Sequence, residues 1–208
     1  MKPVIIPTSK QAMNLKKLIL VLNIVFIGGC ALTHSASKSM SADLIIKNGT
    51  ILTMNANKQV IANGVVVIDD KTIIAVGSNG LLATYSSLNT IDAEGGIVMP
   101  GMINTHTHVS MTVFRSLADD VPDRLQRYIF PLENKMVSTE MSYLGALHGS
   151  IEMAKSGVTT MVDMYLYEQS AADAVKEIGL RGIMTQNIIK YPTADGENAK
   201  AKIDLALA

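Results

Sequence analysis

The chain has 208 residues, with 18 Lys+Arg balanced by 18 Asp+Glu, 48% apolar residues and 17% charged ones. Balanced charge offers no field for a nucleic-acid polyanion, and this apolar content excludes a disordered chain. With no Trp, three Phe and one Cys, the sequence holds no base-stacking platform, no disulfide framework and no Cys-based zinc finger.

Met13 to Cys30 reads MNLKKLILVLNIVFIGGC. A short positive region (Lys16, Lys17), an apolar run from Leu18 to Ile27 and small residues before Cys30 form the three-part layout of an export signal. The run is shorter than the roughly 20 residues a bilayer-spanning helix needs. Ile27-Gly28-Gly29-Cys30 resembles a bacterial lipobox, which implies that Cys30 is lipidated and becomes the mature N-terminus. A plain cleaved signal and a buried apolar segment are the other two readings. Residues 1–12 read as an upstream extension, with Met13 as an alternative start. Residues 31–41 form a polar tether, in which His34 is a solvated side chain. The expected location is therefore the periplasm, on a lipid anchor. Ala31 after the cysteine favours the outer membrane under the lipoprotein sorting rule that the lipobox likeness brings with it.

Residues 42–99 predict a small, mostly antiparallel β-sandwich segment. Two alternating apolar runs flank Asn48-Gly49, a strong hairpin signal, and Asp69-Asp70-Lys71 makes the next turn. Residues 100–208 alternate strand and helix. Strands are expected over 101–108, 158–164 and 181–189, and helices over 138–156, 170–178 and from 198 onward. Leu144, Leu147, Ile151 and Ala154 stand at helical spacing, and Gly179 ends a helix. Such alternation argues for a parallel sheet with helical crossovers, an α/β fold.

In Gly101-Met102-Ile103-Asn104-Thr105-His106-Thr107-His108 the two histidines lie two apart. A strand puts i and i+2 on one face, so both imidazoles are presented together at its carboxyl end. Neutral imidazole is a good ligand for zinc and other divalent metals; two solvated histidines at a polar strand end is the other reading.

Taken in order, V-M-P-G-M-I-N-T-H-T-H, M-T-V-F-R-S-L-A-D-D, I-F-P-L-E and E-M-A-K-S-G-V-T-T-M-V-D-M-Y resemble the amidohydrolase superfamily. Within it they resemble the branch of methylthioadenosine/S-adenosylhomocysteine deaminases, guanine deaminase-like enzymes and triazine hydrolases. The resemblance implies a (β/α)₈ barrel flanked by a β-sandwich and a single Zn²⁺ or Fe²⁺, with zinc favoured. It also implies hydrolysis at a carbon–nitrogen bond, as in deamination of an aminopurine nucleoside or another aminated heterocycle. His106 and His108 match the first-strand metal ligands. Glu133 matches the glutamate that binds the ribose hydroxyls, and a carboxylate can accept two charge-assisted hydrogen bonds from a vicinal diol. In these deaminases a Trp often stands between Asp120 and Glu133; here there is none. The remaining ligands and the proton-shuttling residues belong to later strands of the family and map to no position here. Asp163 either lines the site, orients a ligand or serves as a structural carboxylate, and His148 is a surface or packing residue.

A (β/α)₈ barrel takes about 250 residues, whereas 112 remain from Ile97. The expectation is an incomplete barrel of about three of eight β/α units, the N-terminal part of a longer protein. The competing expectation is a non-catalytic lipoprotein remnant or ligand-binding module lacking the full metal site. The partners expected are a small-molecule substrate and a membrane through the anchor, with no nucleic acid.

Overall fold

A computed structural model of the protein describes residues 39–207, so the signal, Cys30, Ala31 and His34 lie outside the described residues. The chain divides into two compact units. One takes in residues 39–47 and Val65–Asp92; the other takes in Asn48–Gly64 and the chain from Ala93 onward.

In the first unit, β1 (Met40–Ser41) pairs in parallel with β5 (Tyr85–Ser86). Strands β2 (Leu44–Leu52), β3 (Val60–Asp69), β4 (Thr72–Ser78) and β6 (Thr90–Asp92) form a sheet in the order β4-β3-β2-β6. Three successive valines, Val65, Val66 and Val67, are buried, as suits a strand covered on both faces. Val65 and Val67 pack with Ala42, Ile45, Ala75, Leu81 and Tyr85. Asp70 turns the chain between β3 and β4 at φ 50°, and its N–H donates to Asp43 Oδ2 at 2.7 Å.

Two expectations for residues 42–99 change. The long strands β2, β3 and β4 are consecutive neighbours, with Asp70-Lys71 turning the chain between β3 and β4, but the short strands add parallel pairing of β1 with β5, of β2 with β6, and of β2 with β7 (Ile97–Val98). Asn48-Gly49 makes no hairpin, since β2 runs through it unbroken. A type I′ turn needs positive φ at both central residues, and here only Asn48 has it, at 59°. The pair instead admits a close neighbour: a Cβ on Gly49 would lie 2.6 Å from Val98 Cγ2.

In the second unit, β8 (Met102–Thr107), β9 (Val158–Tyr165) and β10 (Arg181–Gln186) form a parallel sheet in the order β10-β9-β8. Helices α1 (Phe130–Met136) and α2 (Thr139–Lys155) lead from β8 to β9. Helix α3 (Glu168–Ile178) joins β9 to β10, and α4 (Ala199–Leu207) follows. The boundaries have local causes. Ser138 Oγ accepts from Met141 N–H at 3.2 Å and caps α2. Gly179, at φ 84°, ends α3 with Leu180 N–H returning to Val175 O at 3.2 Å. The third strand stops at Gln186, and residues 187–189 enter a loop. Three parallel strands, without barrel closure, are present among the described residues.

The expected apolar stripe of α2 is not its buried face. Leu144 and Ile151 are exposed, while Ser142, Gly145, Ala146, Gly149 and Ser150 are buried. The cause is the 3-10 turn Val109–Phe114 that follows β8 and lies directly on the helix. A Cβ on Gly145 would fall 2.4 Å from Ser110 O, so only small residues admit this approach. Met161, Val109 and Ala146 then pack with Ala171, Ala174 and Val175 of α3. Among the described residues no helix is long and apolar enough to cross a membrane.

Candidate active site

In open parallel sheets, sites form beyond the carboxyl ends of the strands. At that end β8 delivers His106, His108 follows it directly at the start of the 3-10 turn, β9 delivers Asp163, Met164 and Tyr165, and β10 delivers Gln186. Alternation along β9 buries Met161, Asp163 and Tyr165 on one face.

The two histidine rings lie 5.1 Å apart, centroid to centroid, at 73°. His106 is exposed, and its backbone N–H donates to Asn104 Oδ1 at 3.2 Å. His108 Nδ1 lies 2.5 Å from Met164 O. A carbonyl can only accept, so Nδ1 carries a proton, and in the neutral form of the ring this leaves the lone pair on Nε2 free. Metal-binding histidines are oriented in this way by a backbone partner on the other nitrogen. The turn after His108 is held just as firmly. Val109 N–H donates to Asp163 Oδ1 at 2.7 Å, Ser110 Oγ to Ser142 O at 2.8 Å and Thr112 Oγ1 to Gly145 O at 3.0 Å.

Asp163 is fully buried. Its bond from Val109 N–H, next to His108, suits both a structural carboxylate and one that orients His108 through the backbone. Its carboxyl group meets that of buried Glu168, and the two share a hydrogen bond once one of them is protonated. Two adjacent carboxylates cannot both stay ionised out of water. Burial first, and the charge of Asp163 second, push Glu168 up to about 8, so near neutral pH it holds a proton. Burial also raises Asp163, against the opposing Val109 N–H.

Glu133 sits on α1 and is buried. Pro131 stands in the first turn of that helix, where its missing N–H costs nothing. Tyr165 O–H donates to Glu133 Oε1 at 2.8 Å. Burial raises the Glu133 carboxyl, while the Tyr165 hydrogen bond and then His108 oppose that shift. Burial, then Glu133, holds the Tyr165 hydroxyl well above its ordinary value.

Glu133, His108 and Tyr165 line one cavity of about 560 Å³, closed further by Phe130, Asn187 and Tyr191. His106 is not among the residues lining it. His148 is on the surface of α2, 3.7 Å from Glu152. Among the described residues no group of three or more His, Cys, Asp or Glu side chains could hold a metal. The pair His106 and His108, with one tautomer already set, fits two positions of a zinc ligand set.

The sequence reading missed Tyr165, Glu168 and the Met164 carbonyl. Tyr165 had a signal, because it stands two residues from Asp163 in a strand and so shares its face. The roles of Glu168 and Met164 had none, since they depend on tertiary contacts.

The model of the amidohydrolase family matches residues 97–207. A 5-methylthioadenosine/S-adenosylhomocysteine deaminase of Syntrophobacter fumaroxidans is 39% identical over 158 residues, covering 74% of this chain and 36% of that protein. A 5'-deoxyadenosine deaminase of Methanococcoides burtonii is 43% identical over 152 residues, covering 72% of this chain and 34% of that protein. The crystal structure of an adenosine deaminase from Xanthomonas campestris with bound zinc superposes with a TM-score of 0.76 at 27% identity. It covers 80% of this chain and 39% of that one. The chain thus spans little more than a third of the length of the curated relatives it matches.

Proposed function

The chain belongs to the amidohydrolase family, and on that premise we propose that it carries the nucleoside-facing part of a zinc-dependent hydrolase that deaminates an adenosine-like substrate. In the proposed reaction water adds to the purine carbon bearing the exocyclic amine, the C–N bond breaks and ammonia leaves. The observation that carries the reading is that His108, from the end of β8, and Glu133, from α1, line one cavity. The deaminase names of the two relatives support the substrate class.

In this reading His106 and His108 would hold the metal, which would supply Lewis acidity. Met164 O and the Asp163–Val109 bond keep the His108 ring turned with Nε2 free. Glu133, fixed by the Tyr165 hydroxyl, accepts from the ribose diol and holds the nucleoside in register. Phe130, Met164 and Ile189 supply apolar wall to the cavity and keep bulk water from the base.

The test, on the protein extended past Ala208, is zinc content and ammonia release from 5'-deoxyadenosine and methylthioadenosine, with wild type and the double variant His106→Ala, His108→Ala. Wild type is expected to hold about one zinc per chain and the double variant to lose both metal and turnover. Turnover retained in the double variant rejects the proposal. Export with a lipid on Cys30 is part of the same proposal and rests on residues 13–30. It is checked by fatty-acid labelling that disappears in Cys30→Ser.

A further inference from the structure

Lysine is almost never fully buried unless it is paired, because taking an ammonium out of water is costly. Lys202 is nevertheless the largest fully buried side chain among the described residues, and the only buried residue of α4. Its partners are two backbone carbonyls: Nζ donates to Tyr191 O at 2.6 Å and to Ile189 O at 3.2 Å. If α4 needed only packing at this position, a leucine or methionine would fill it without the desolvation cost. What the ammonium adds is direction, since it grips one short stretch of loop at two points.

That loop, residues 187–196, forms no strand or helix; its one regular feature is the bridge between Thr193 and Gly196. It contributes Asn187, Ile189, Tyr191, Pro192 and Thr193 to the wall of the cavity that Glu133 and His108 also line. The far end of the loop is tied separately. Asp195 accepts from Gln186 Nε2 at 2.7 Å and from Thr193 Oγ1 at 2.6 Å, and Tyr167 O–H donates to Ala194 O at 2.5 Å. Among the described residues, Lys202 is the side chain whose hydrogen bonds tether residues 189–191.

We propose that Lys202 is the positioning residue of this wall: by holding the Ile189 and Tyr191 carbonyls it sets the width of the pocket, and with it affinity for the nucleoside rather than the rate of chemistry. The inference rests on the functional reading above, in that the cavity takes the substrate. Its mark is a KM effect without a kcat effect, together with loosening confined to one loop.

The experiment compares wild type, Lys202→Met, Lys202→Arg and Gly196→Ala in the full chain. Readouts are backbone amide exchange over residues 187–193, KM and kcat for 5'-deoxyadenosine, and zinc content. Lys202→Met keeps the stem and removes the donors. It is expected to speed exchange over 187–193 and raise KM about tenfold, the scale of lost charge-assisted hydrogen bonds, with kcat and zinc unchanged. Lys202→Arg restores most of the KM. Gly196→Ala places a Cβ 2.8 Å from Lys202 Cγ, which shifts the stem without removing the charge, so an intermediate rise is expected. Unchanged exchange in a folded Lys202→Met, or a fall in kcat at constant KM, overturns the proposal. If Lys202→Met does not fold, Gly196→Ala decides by the same two readouts. If wild type turns over no nucleoside, the functional reading fails on its own, and the exchange data still decide whether Lys202 holds the loop.

Discussion

In the unit built from residues 39–47 and Val65–Asp92, the buried side chains are Ala42, Ile45, Val65, Val66 and Val67, all of them apolar. The unit containing residues from Ala93 onward buries Glu133, Asp163, Glu168 and Lys202 as well. Both obey the same physics, because apolar burial stabilises each. Only the second bears the cost of burying ionisable groups, and three of the four, Asp163, Glu133 and Lys202, hold or are held by groups beside one cavity. Asp163 holds Val109 N–H, Glu133 is held by Tyr165, Lys202 holds the Ile189 and Tyr191 carbonyls, and Glu168 lies against Asp163. A unit that only needs to be stable buries valine; a unit that must aim polar atoms buries carboxylates and an ammonium.

Three measurements sharpen or break this contrast, from the largest effect to the smallest. Removing a buried carboxylate should hurt more than trimming the apolar core. Asp163→Ala strands Val109 N–H and is expected to cost about 3 kcal/mol. Val67→Ala in the first unit should cost about 2 kcal/mol. Denaturant unfolding of the two variants checks the order, and the reverse order breaks the comparison.

The carboxylate pair should also mark the second unit by its response to pH. Glu168 titrates at about 8 in the folded protein against an ordinary value of 4.5. Between those values the folded state binds a proton that the unfolded chain has released, so stability falls as pH rises through the window. The contribution is fully present below about 4.5 and is lost as pH passes about 8. Glu168→Gln should flatten that part of the profile relative to wild type. Coincident profiles of unfolding midpoint against pH reject the shared-proton description.

The smallest effect expected is that of Tyr165→Phe. It removes the hydroxyl that fixes Glu133, and a rise of about fivefold in KM for the nucleoside is the scale of one hydrogen bond. Steady-state kinetics with the 5'-deoxy and 2',3'-dideoxy nucleosides checks it. The two proteins should differ on the substrate that has the diol and agree on the one that lacks it.

Much of the second unit was legible in advance because its signals are local. The period of two put His106 and His108 on one strand face, Ser138 and Gly179 marked where helices begin and end, and hydrophobic alternation placed β9 within one residue. The stripe on α2 misled for a physical reason. Apolar spacing reports which residues could be buried, whereas the close approach of Ser110 to Gly145 made the small-residue face the buried one. Asn48-Gly49 misled in the same way. A left-handed residue permits a reversal, but whether the chain reverses or merely admits a neighbour depends on what packs against it.

By itself, then, the sequence determined the element types of the second unit, the histidine pair and, through family motifs, Glu133 as a candidate. Tertiary structure alone decided that His108 turns its Nε2 free because Met164 O, 56 residues away, takes the other nitrogen. It also decided that Glu133 is buried beneath a tyrosine and that Lys202 reaches back to the cavity wall. Period and propensity act over a few residues, whereas the desolvation of charge and its compensation are settled between groups that meet only once the chain has folded.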